Sequence, residues 1–220
     1  MIAKDLITDD IPTLKITDTG IKAIHWMEEF KVSHIPIVNK QEYLGLIGET
    51  DILDLNIDGK PLEKFKLSLI RPFVLANQHF YEVIEIFTNM KITVLPVLDD
   101  KQNFLGTIPI TALLKEFSLL VAIRDPGGII VLEMNEHDYS MTQIAQIIES
   151  NDGKILSCYL NSIENSTRIE ITLKTNKEDL SAILQTFGRY NYTIKASFHQ
   201  AEFKDDIKNR FDLFMNYINM

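Results

Sequence analysis

Residues 34–53 read HIPIVNKQEYLGLIGETDIL, and residues 94–114 read VLPVLDDKQNFLGTIPITALL. In both stretches an apolar residue, a proline and two further apolar residues precede a polar turn, an aromatic residue, a leucine, a glycine and an apolar end. The second stretch has one extra residue in its turn. An internal repeat of this kind predicts two structural units of the same fold. Equivalent positions are held by Pro36 and Pro96, by Tyr43 and Phe104, and by Gly45 and Gly106.

The sequence around each stretch predicts the same order of elements, β-α-β-β-α. A unit of about 60 residues has only a small core, so two such units should stabilise each other by packing. The first unit is predicted to have strands at 13–16, 34–38 and 43–47, a helix from about Thr19, and a second helix that Thr50 caps and that runs through Leu55. The second unit is predicted to have a strand at 72–75, a helix over 80–90, the same hairpin, and a helix from Ile110.

A different pattern follows residues 124–128, whose sequence RDPGG indicates a break between domains. Apolar and polar residues alternate over 167–173, as in a half-buried strand. The predicted order of elements is β-α-β-β-α-β, which is that of a ferredoxin-like sandwich. In such a fold one face of the sheet carries the helices, and the other is solvated or packed on a partner. The predicted strands are 129–134, 154–160, 167–173 and 193–198, and the predicted helices are 140–150 and 177–190.

The last residues, 201–220, predict an amphipathic helix. Six apolar side chains fall on one face at helical spacing, and charged or polar residues lie mostly on the opposite face. Left exposed, this stripe would be an unusual apolar patch for a soluble monomer. We therefore expect a homodimer in which the tail takes part, with docking of the tail on its own chain as the alternative. The stripe consists of Phe203, Ile207, Phe211, Phe214, Met215 and Ile218.

The composition argues against several classes of protein. The net charge of −9 argues against a nucleic-acid binder, because such proteins show basic patches. No apolar run approaches the roughly 18–20 residues that span a bilayer, and the N-terminus lacks a signal-peptide core. The single cysteine, Cys158, excludes an internal disulfide, and we expect a buried, inert thiol in a reducing compartment. The expected location is the cytoplasm, with no membrane and no nucleic acid among the partners.

The doubled stretch resembles a pair of CBS domains, which together form a Bateman module. Residues 128–200 resemble an ACT domain by their order of elements, and the whole chain is similar to the acetoin-utilisation-type CBS-ACT regulatory proteins. This resemblance implies a regulatory role, since CBS pairs usually sense adenine nucleotides and ACT domains usually sense amino acids. It implies an α/β (α+β) fold with a first CBS repeat at 1–60, a second at 61–120, an ACT-like domain at 128–200 and a C-terminal helix at 201–220.

The same resemblance suggests a ligand site in the first repeat. In nucleotide-binding CBS domains the sequence after the hairpin is Gly, apolar, any residue, Ser or Thr, any two residues, and Asp or Asn. Here Asp51 matches the acid that accepts hydrogen bonds from ribose, and Thr50 supplies a hydroxyl one position earlier. Gly48 replaces the usual Ser or Thr, and His34 stands where a phosphate-contacting basic residue often lies. Thr50 and Asp51 are also the residues that a helix start favours, so a structural role is the alternative.

Two further sites suggested by the resemblance depart from the family pattern. In the second repeat Pro109 holds the hydroxyl position and Ala112 replaces the acid, so we expect binding there to be weak or absent. In the ACT-like part the loop after the first strand, residues 135–140, has no glycine, whereas amino-acid-binding ACT domains usually carry one there. Ser140 or Asp138 is expected to cap the following helix.

The sequence carries no signature of an enzyme. Its five histidines show no metal-ligand spacing, and it has no phosphate-binding loop, nucleophile elbow or dinucleotide fingerprint. We therefore expect a non-catalytic regulatory sensor that binds an adenine nucleotide at the first repeat, needs no cofactor, and signals through a dimer to an unknown target protein. The alternatives are a dimerisation scaffold whose pockets have decayed, and an amino-acid sensor that acts through the ACT-like domain.

Overall fold

The computed structural model describes residues 1–54, 59–65, 67 and 69–198. The chain divides into two compact units, Met1–Glu116 and Phe117–Met220. Both units combine helices with sheets, so the predicted α+β fold is confirmed. The elements up to the end of the second repeat are α1 (Gly20–Phe30), β1 (His34–Asn39), β2 (Glu42–Gly48), α2 (Glu49–Asp54), β3 (Val74–Leu75), α3 (Phe80–Met90), β4 (Val94–Leu98), β5 (Phe104–Pro109) and α4 (Ile110–Leu120).

The repeat in the sequence is a repeat in the structure. Each hairpin is antiparallel and is followed at once by a helix: β1 pairs with β2 before α2, and β4 pairs with β5 before α4. The helices before the hairpins also correspond, since Thr19 caps α1 and His79 caps α3 through side-chain acceptors. Both of these helices end at a lysine in the left-handed conformation, Lys31 or Lys91.

In each repeat a segment from outside the repeat adds hydrogen bonds to the edge of the hairpin. The N-terminal segment does so for the second repeat, and the segment before β3 does so for the first. The N-terminal segment contacts the second repeat, where the Thr8 N–H donates a hydrogen bond to the Thr107 carbonyl at 3.0 Å. In the first repeat the Leu46 N–H donates to the Ile70 carbonyl at 2.8 Å, and Ile70 lies in the segment that precedes β3. Each hairpin therefore has a segment from outside its own repeat at its edge, and both repeats lie in one compact unit.

The equivalent glycines Gly45 and Gly106 permit these crossings. A Cβ atom on Gly45 would lie 2.6 Å from the Leu69 Cβ, and one on Gly106 would lie 2.5 Å from the Ile7 Cγ2. Both distances are shorter than a van der Waals contact, so a side chain at either position would push the crossing segment away. The repeated glycine is thus explained by the close approach of the crossing segments, Leu69 and Ile70 at Gly45 and the Ile7 side chain at Gly106.

Two predicted elements of the first repeat differ from the structure. The predicted strand at 13–16 is a single parallel bridge between Leu14 and Ile37, where the Leu14 N–H donates to the Pro36 carbonyl and the Val38 N–H donates to the Leu14 carbonyl. Helix α2 begins at Glu49, so Thr50 lies within its first turn and does not cap it as predicted; the Asp51 carboxylate makes the capping bond instead, by accepting the Gly48 N–H. The predicted end of this helix at Leu55 lies outside the described residues. The remaining helices and hairpins begin and end within a few residues of the predicted positions.

The second unit has the predicted order of elements and one four-stranded sheet. The strands are antiparallel and lie in the order β7-β8-β6-β9. One face of this sheet packs on both helices through a core that includes Ile130, Leu132, Ile171 and Phe187. The elements are β6 (Ile129–Asn135), α5 (Met141–Glu149), β7 (Ile155–Ser162), β8 (Arg168–Thr175), α6 (Ser181–Arg189) and β9 (Thr193–Phe198).

Local hydrogen bonds explain where the second unit departs from the sequence prediction. Helix α6 begins at Ser181, four residues later than predicted, because the Asp179 Oδ1 accepts the Ser181 N–H at 2.9 Å and holds a turn before the helix. The loop after β6 contains a short 3-10 helix at Glu136–Asp138, and the Ser140 Oγ then caps α5 by accepting the Gln143 N–H at 3.3 Å. The predicted tail helix at 201–220 lies outside the described residues.

Candidate functional site

The three candidate residues of the first repeat meet at one corner of the hairpin. His34 opens β1 and is paired directly with Gly48, the last residue of β2. Helix α2 begins at the next residue, so Thr50 and Asp51 lie in its first turn, beside this pair. The direct connection from strand to helix therefore brings residues that are about 15 positions apart in the chain to the same place.

Distances from Gly48 show how close the three side chains are. A Cβ atom on Gly48 would lie 3.2 Å from the Asp51 Oδ2, 3.5 Å from the His34 Cδ2 and 3.6 Å from the Thr50 Oγ1. The Gly48 N–H donates a hydrogen bond to the Asp51 Oδ2 at 2.8 Å, which is the bond of a helix-capping acid. Thr50 and Asp51 are exposed to solvent, and His34 is half-buried. The carboxylate therefore has a structural role at the start of α2 and is still accessible to a ligand.

The imidazole of His34 is neutral near pH 7. Burial lowers the pKa of His34 below its usual value, and the negative charge of Asp51 offsets part of this effect. The His34 Nδ1 lies 3.2 Å from the Thr93 Oγ1, which also accepts the Ser33 N–H at 2.9 Å. This hydroxyl fixes the orientation of the ring, and a neutral ring offers a ligand one donor or one acceptor.

Thr93 is a neighbour of the site that the sequence analysis did not identify. It comes from the second repeat, where it immediately precedes β4 as Ser33 precedes β1. The carbonyls of Ser33 and Thr93 make equivalent hydrogen bonds, because they accept the N–H groups of Glu49 and Ile110 at 3.0 and 3.1 Å. A hydroxyl residue before the repeated strand in both copies is the signal that would have indicated it.

The chemistry of the corner suits a ligand that donates hydrogen bonds. Glu49 and Asp51 both lie in the first turn of α2, so the local charge is negative. The carboxylate and the Thr50 hydroxyl can accept hydrogen bonds from the hydroxyl groups of a sugar. Because the His34 ring is neutral, the three side chains bring no positive charge for a phosphate.

The equivalent corner of the second repeat borders a cavity of about 380 Å³. Thr111 and Ala112 line it, together with the N-terminal segment and the outer face of α4. The Thr8 Oγ1 is buried there and has no hydrogen-bond partner among the described residues. Three acidic residues and one lysine contribute to the lining, so the cavity has a negative balance of charge. The charged residues are Asp5, Asp10, Lys115 and Glu116.

The described part of the chain shows neither a cluster of metal ligands nor an activated cysteine. Within residues 1–54, 59–65, 67 and 69–198, no group of three or more His, Cys, Asp or Glu side chains is arranged to hold a metal ion. The Cys158 thiol is half-buried, and burial raises its pKa, so it is not an activated nucleophile. Across the same residues no helix has the length and apolar character needed to cross a membrane.

Known proteins are similar to parts of this chain. The family model of the CBS domain matches residues 3–58 and 70–119. An inosine-5'-monophosphate dehydrogenase from Methanocaldococcus jannaschii is 26% identical over 161 residues, which are 71% of this chain and 32% of that protein. The chain thus spans about a third of the length of this curated relative.

Solved structures with a similar fold cover about half of the chain. A CBS domain pair/ACT domain protein from Thermotoga maritima is 21% identical with a TM-score of 0.47, over 53% of this chain and 96% of that one. The CBS domains of a transcriptional regulator from Streptococcus pneumoniae are 18% identical with a TM-score of 0.45, over 52% of this chain and 98% of that one. The family match and the repeated order of helix, hairpin and helix together identify the first half of this chain as a tandem pair of CBS domains.

Proposed function

We propose that this chain is a non-catalytic regulatory sensor whose first CBS repeat binds an adenine nucleotide through His34, Thr50 and Asp51. Tandem CBS pairs are regulatory modules that sense nucleotides, and the present chain has such a pair. The observation that carries the proposal is the convergence of the three side chains within 4 Å of one point at Gly48. In the pattern of the family the position of Asp51 holds ribose and that of His34 often contacts phosphate, while Thr50 supplies a hydroxyl one position before the acid.

The charges at the corner indicate which nucleotide should bind best. The Asp51 carboxylate accepts hydrogen bonds from the ribose hydroxyls, while the neutral His34 ring provides a single hydrogen bond to the phosphate. Each further phosphate adds negative charge near Glu49 and Asp51 and gains no cation from these side chains. We therefore expect the affinity to fall from AMP to ADP to ATP.

Calorimetric titration of the full-length chain tests the site. The variant Asp51→Ala should bind AMP about 10- to 150-fold more weakly, because a hydrogen bond to a charged group contributes roughly 1.5–3 kcal/mol. The variant Asp54→Ala is the matched control, since it removes an exposed carboxylate from the same helix and should bind like the wild type. Equal affinities in the wild type and Asp51→Ala would disprove the assignment.

The second repeat is proposed to bind nucleotides weakly or not at all. Ala112 lacks the carboxylate that would accept ribose hydroxyls, and the acidic lining of the adjacent cavity repels phosphate. We expect a stoichiometry of one nucleotide per chain in the same titration. A second equivalent with similar affinity would contradict this part of the proposal.

A scaffold without a ligand is the alternative, and thermal unfolding distinguishes it. A nucleotide present at 100 times its dissociation constant stabilises the folded chain by about 2.7 kcal/mol, which gives a clear shift of the melting temperature. A scaffold whose pockets have decayed would show no shift with AMP, ADP, ATP or any amino acid.

An amino-acid sensor is a second candidate, favoured by one observation in the ACT-like unit. A cavity of about 280 Å³ lies beside the loop after β6 and is lined by Asn135, Asp138 and Arg168 among others. The Arg168 guanidinium, which is 2.9 Å from the Glu133 carboxylate, is placed to pair with the carboxylate of a small zwitterion. A thermal shift with one amino acid that is lost in Arg168→Gln would support this function.

The assembly is proposed to be a cytoplasmic homodimer that acts on a target protein. CBS pairs and ACT domains commonly associate with copies of themselves, and two-fold symmetry is the commonest closed arrangement. Light scattering of the full-length chain at micromolar concentrations tests the dimer. A mass equal to that of the 25.3 kDa chain would disprove it.

A further inference from the structure

The sheet of the second unit has an open face opposite its two helices. Residues that pair directly across neighbouring strands lie on the same face. Two rows on the open face are largely apolar or uncharged at the end of the sheet near the start of β6. The first row is Ser157, Lys174, Ile129 and Phe198, and the second is Tyr159, Thr172, Val131 and Ala196.

The other end of the same face carries two ion pairs. Arg168 pairs with Glu133 at 2.9 Å, and Lys195 pairs with Glu170. These charged side chains make that end of the face polar. An apolar occupant is therefore restricted to the two rows near the start of β6.

An apolar groove runs over these two rows. The last turn of α4 and the residues after it form one wall, held to the sheet by the Ser157 hydroxyl, which donates to the Val121 carbonyl at 2.9 Å. The groove has a volume of about 330 Å³, and Phe117, Ile129 and Tyr159 contribute to its lining. Ile123 and Tyr159 are 63% and 56% exposed, so this apolar surface has no cover among the described residues.

The chain leaves β9 at the rim of this groove. Phe198, the last described residue, pairs with the groove residue Ile129 and is itself 59% exposed on the same face. A stretch of 22 residues follows, and its sequence has the apolar stripe from Phe203 to Ile218. The four residues at 199–202 can span up to about 13–14 Å, which is the distance across three strand spacings of about 4.8 Å.

We propose that residues 203–218 dock in this groove of their own chain, with the apolar stripe facing the sheet. As a helix this stretch would be about 22 Å long, enough to cross the four strands. The stripe matches the groove in character, and its polar side would replace the exposed apolar surface with a charged one. This inference is independent of the proposed nucleotide site.

The test follows isoleucine methyl groups by nuclear magnetic resonance in the full-length chain. The variant Phe211→Asp/Phe214→Asp disrupts the stripe, and Asn209→Asp/Asn216→Asp adds the same charge on the polar side. The signals of Ile123 and Ile129 should shift in the first variant and stay unchanged in the second. The buried Ile130 and Ile171, on the helix-covered face, report whether the fold is intact. Unchanged groove signals in the first variant, or equal shifts in both, would overturn the proposal.

A second measurement needs no variant. A soluble gadolinium chelate broadens exposed methyl signals, and Ile21 is an exposed reference at 61%. If the tail covers the groove, Ile123 should broaden much less than Ile21 in the wild type; equal broadening would contradict docking.

Mixing the labelled Phe211→Asp/Phe214→Asp chain with unlabelled wild type then distinguishes the source of the tail. Recovery of the wild-type signals would show that the tail of a second copy fills the groove, and would overturn docking within one chain.

Discussion

Gly48 is the residue that separates the first repeat from the ligand-binding pattern it otherwise matches. Its N–H already donates to the Asp51 Oδ2, which is half of a capping box, but it has no hydroxyl to return the bond. The nearest atom to a Cβ there is that carboxylate oxygen at 3.2 Å, followed by atoms of His34 and Thr50. A serine would therefore fit with a small movement of exposed side chains.

The variant Gly48→Ser should gain affinity for AMP. Its hydroxyl would add one hydrogen bond at the position where the family has Ser or Thr, and a net gain of about 0.5–1.5 kcal/mol corresponds to roughly 2- to 12-fold tighter binding. The control Gly48→Ala fills the same space without a hydroxyl and should not gain. Calorimetric titration of both variants and the wild type gives the comparison, and an equal gain in Gly48→Ala would contradict a role for the hydroxyl.

His34 should make the stability of the fold depend on pH below neutrality. Its pKa in the folded chain is lower than its usual value of 6.5, mainly because of burial, so the unfolded chain binds more protons as the pH falls below 6.5. The free energy of unfolding should therefore decrease from about pH 7 downward, until the pH reaches the lowered pKa of the folded state. His34→Gln should remove this part of the pH dependence, whereas His25→Gln, at a 72% exposed side chain, should retain it. Denaturant unfolding over this range measures the effect, and identical pH profiles for the wild type and His34→Gln would contradict it.

The sequence was sufficient to predict three residues of the candidate site, but not its fourth residue or the charge of its histidine. The resemblance to nucleotide-binding CBS domains indicated His34, Thr50 and Asp51, and the three residues lie together because β2 runs directly into α2. Thr93 was missed, since its contact with the His34 ring depends on how one repeat packs on the other. The neutral state of that ring was also not predictable, because burial is a property of the packing and not of the local sequence.

At the scale of elements, the sequence showed that a glycine is repeated in the motif, but only the structure shows why a glycine is needed at these positions. The family pattern places this glycine at the start of the ligand-binding stretch. In the structure Gly45 instead faces the linker between the repeats, where a Cβ atom would lie 2.6 Å from the Leu69 Cβ and 3.0 Å from the Ile70 carbonyl oxygen. Strand crossings of this kind join residues that are distant in the chain, and periodicity does not report them.

Gly45→Ala should destabilise the pairing of β2 with the crossing segment. Overpacking of this kind typically costs about 1–3 kcal/mol in the free energy of unfolding, because a carbonyl and a Cβ atom cannot move aside independently. Gly188→Ala is the control, since no atom lies within 4 Å of its Cβ position and an alanine in the helix should stabilise by about 0.5–1 kcal/mol. Denaturant unfolding monitored by circular dichroism measures both. A Gly45→Ala chain as stable as the wild type would contradict the packing role.

The boundaries of elements were predictable where side chains cap them and less so elsewhere. Thr19 was predicted at the start of α1, and Ser140 or Asp138 as the cap of α5. In the structure the side chains of Thr19 and Ser140 accept hydrogen bonds from the Lys22 and Gln143 N–H groups. Helix α6 was predicted too long, because the bond from the Ser181 N–H to Asp179 replaces the first helical turn. Local competition of this kind is decided by small energy differences that a sequence pattern does not resolve.

At the scale of the whole first unit, the two repeats exchange core residues. Ala3 and Leu6, from the N-terminus, are fully or almost fully buried in the core around α3 and β4, which belongs to the second repeat. Val94, from the second repeat, is buried in the core around α1 and β1. Leu62 in the linker also packs into that first core. Neither repeat therefore contains all of the side chains that fill its own core.

The two CBS repeats should fold together and not separately. Residues 1–58 lack Leu62 and Val94, and residues 61–120 lack Ala3 and Leu6; a fully buried leucine or valine contributes about 1.5–3 kcal/mol, a large share of the stability of so small a unit. Each half made alone should show no cooperative thermal transition, whereas the two halves mixed in equal amounts should regain one, since the N-terminal segment binds the second repeat. The full-length chain is the reference for a cooperative transition. Calorimetry of residues 1–58 is decisive, because a cooperative transition from that fragment alone would show that the exchanged side chains are dispensable.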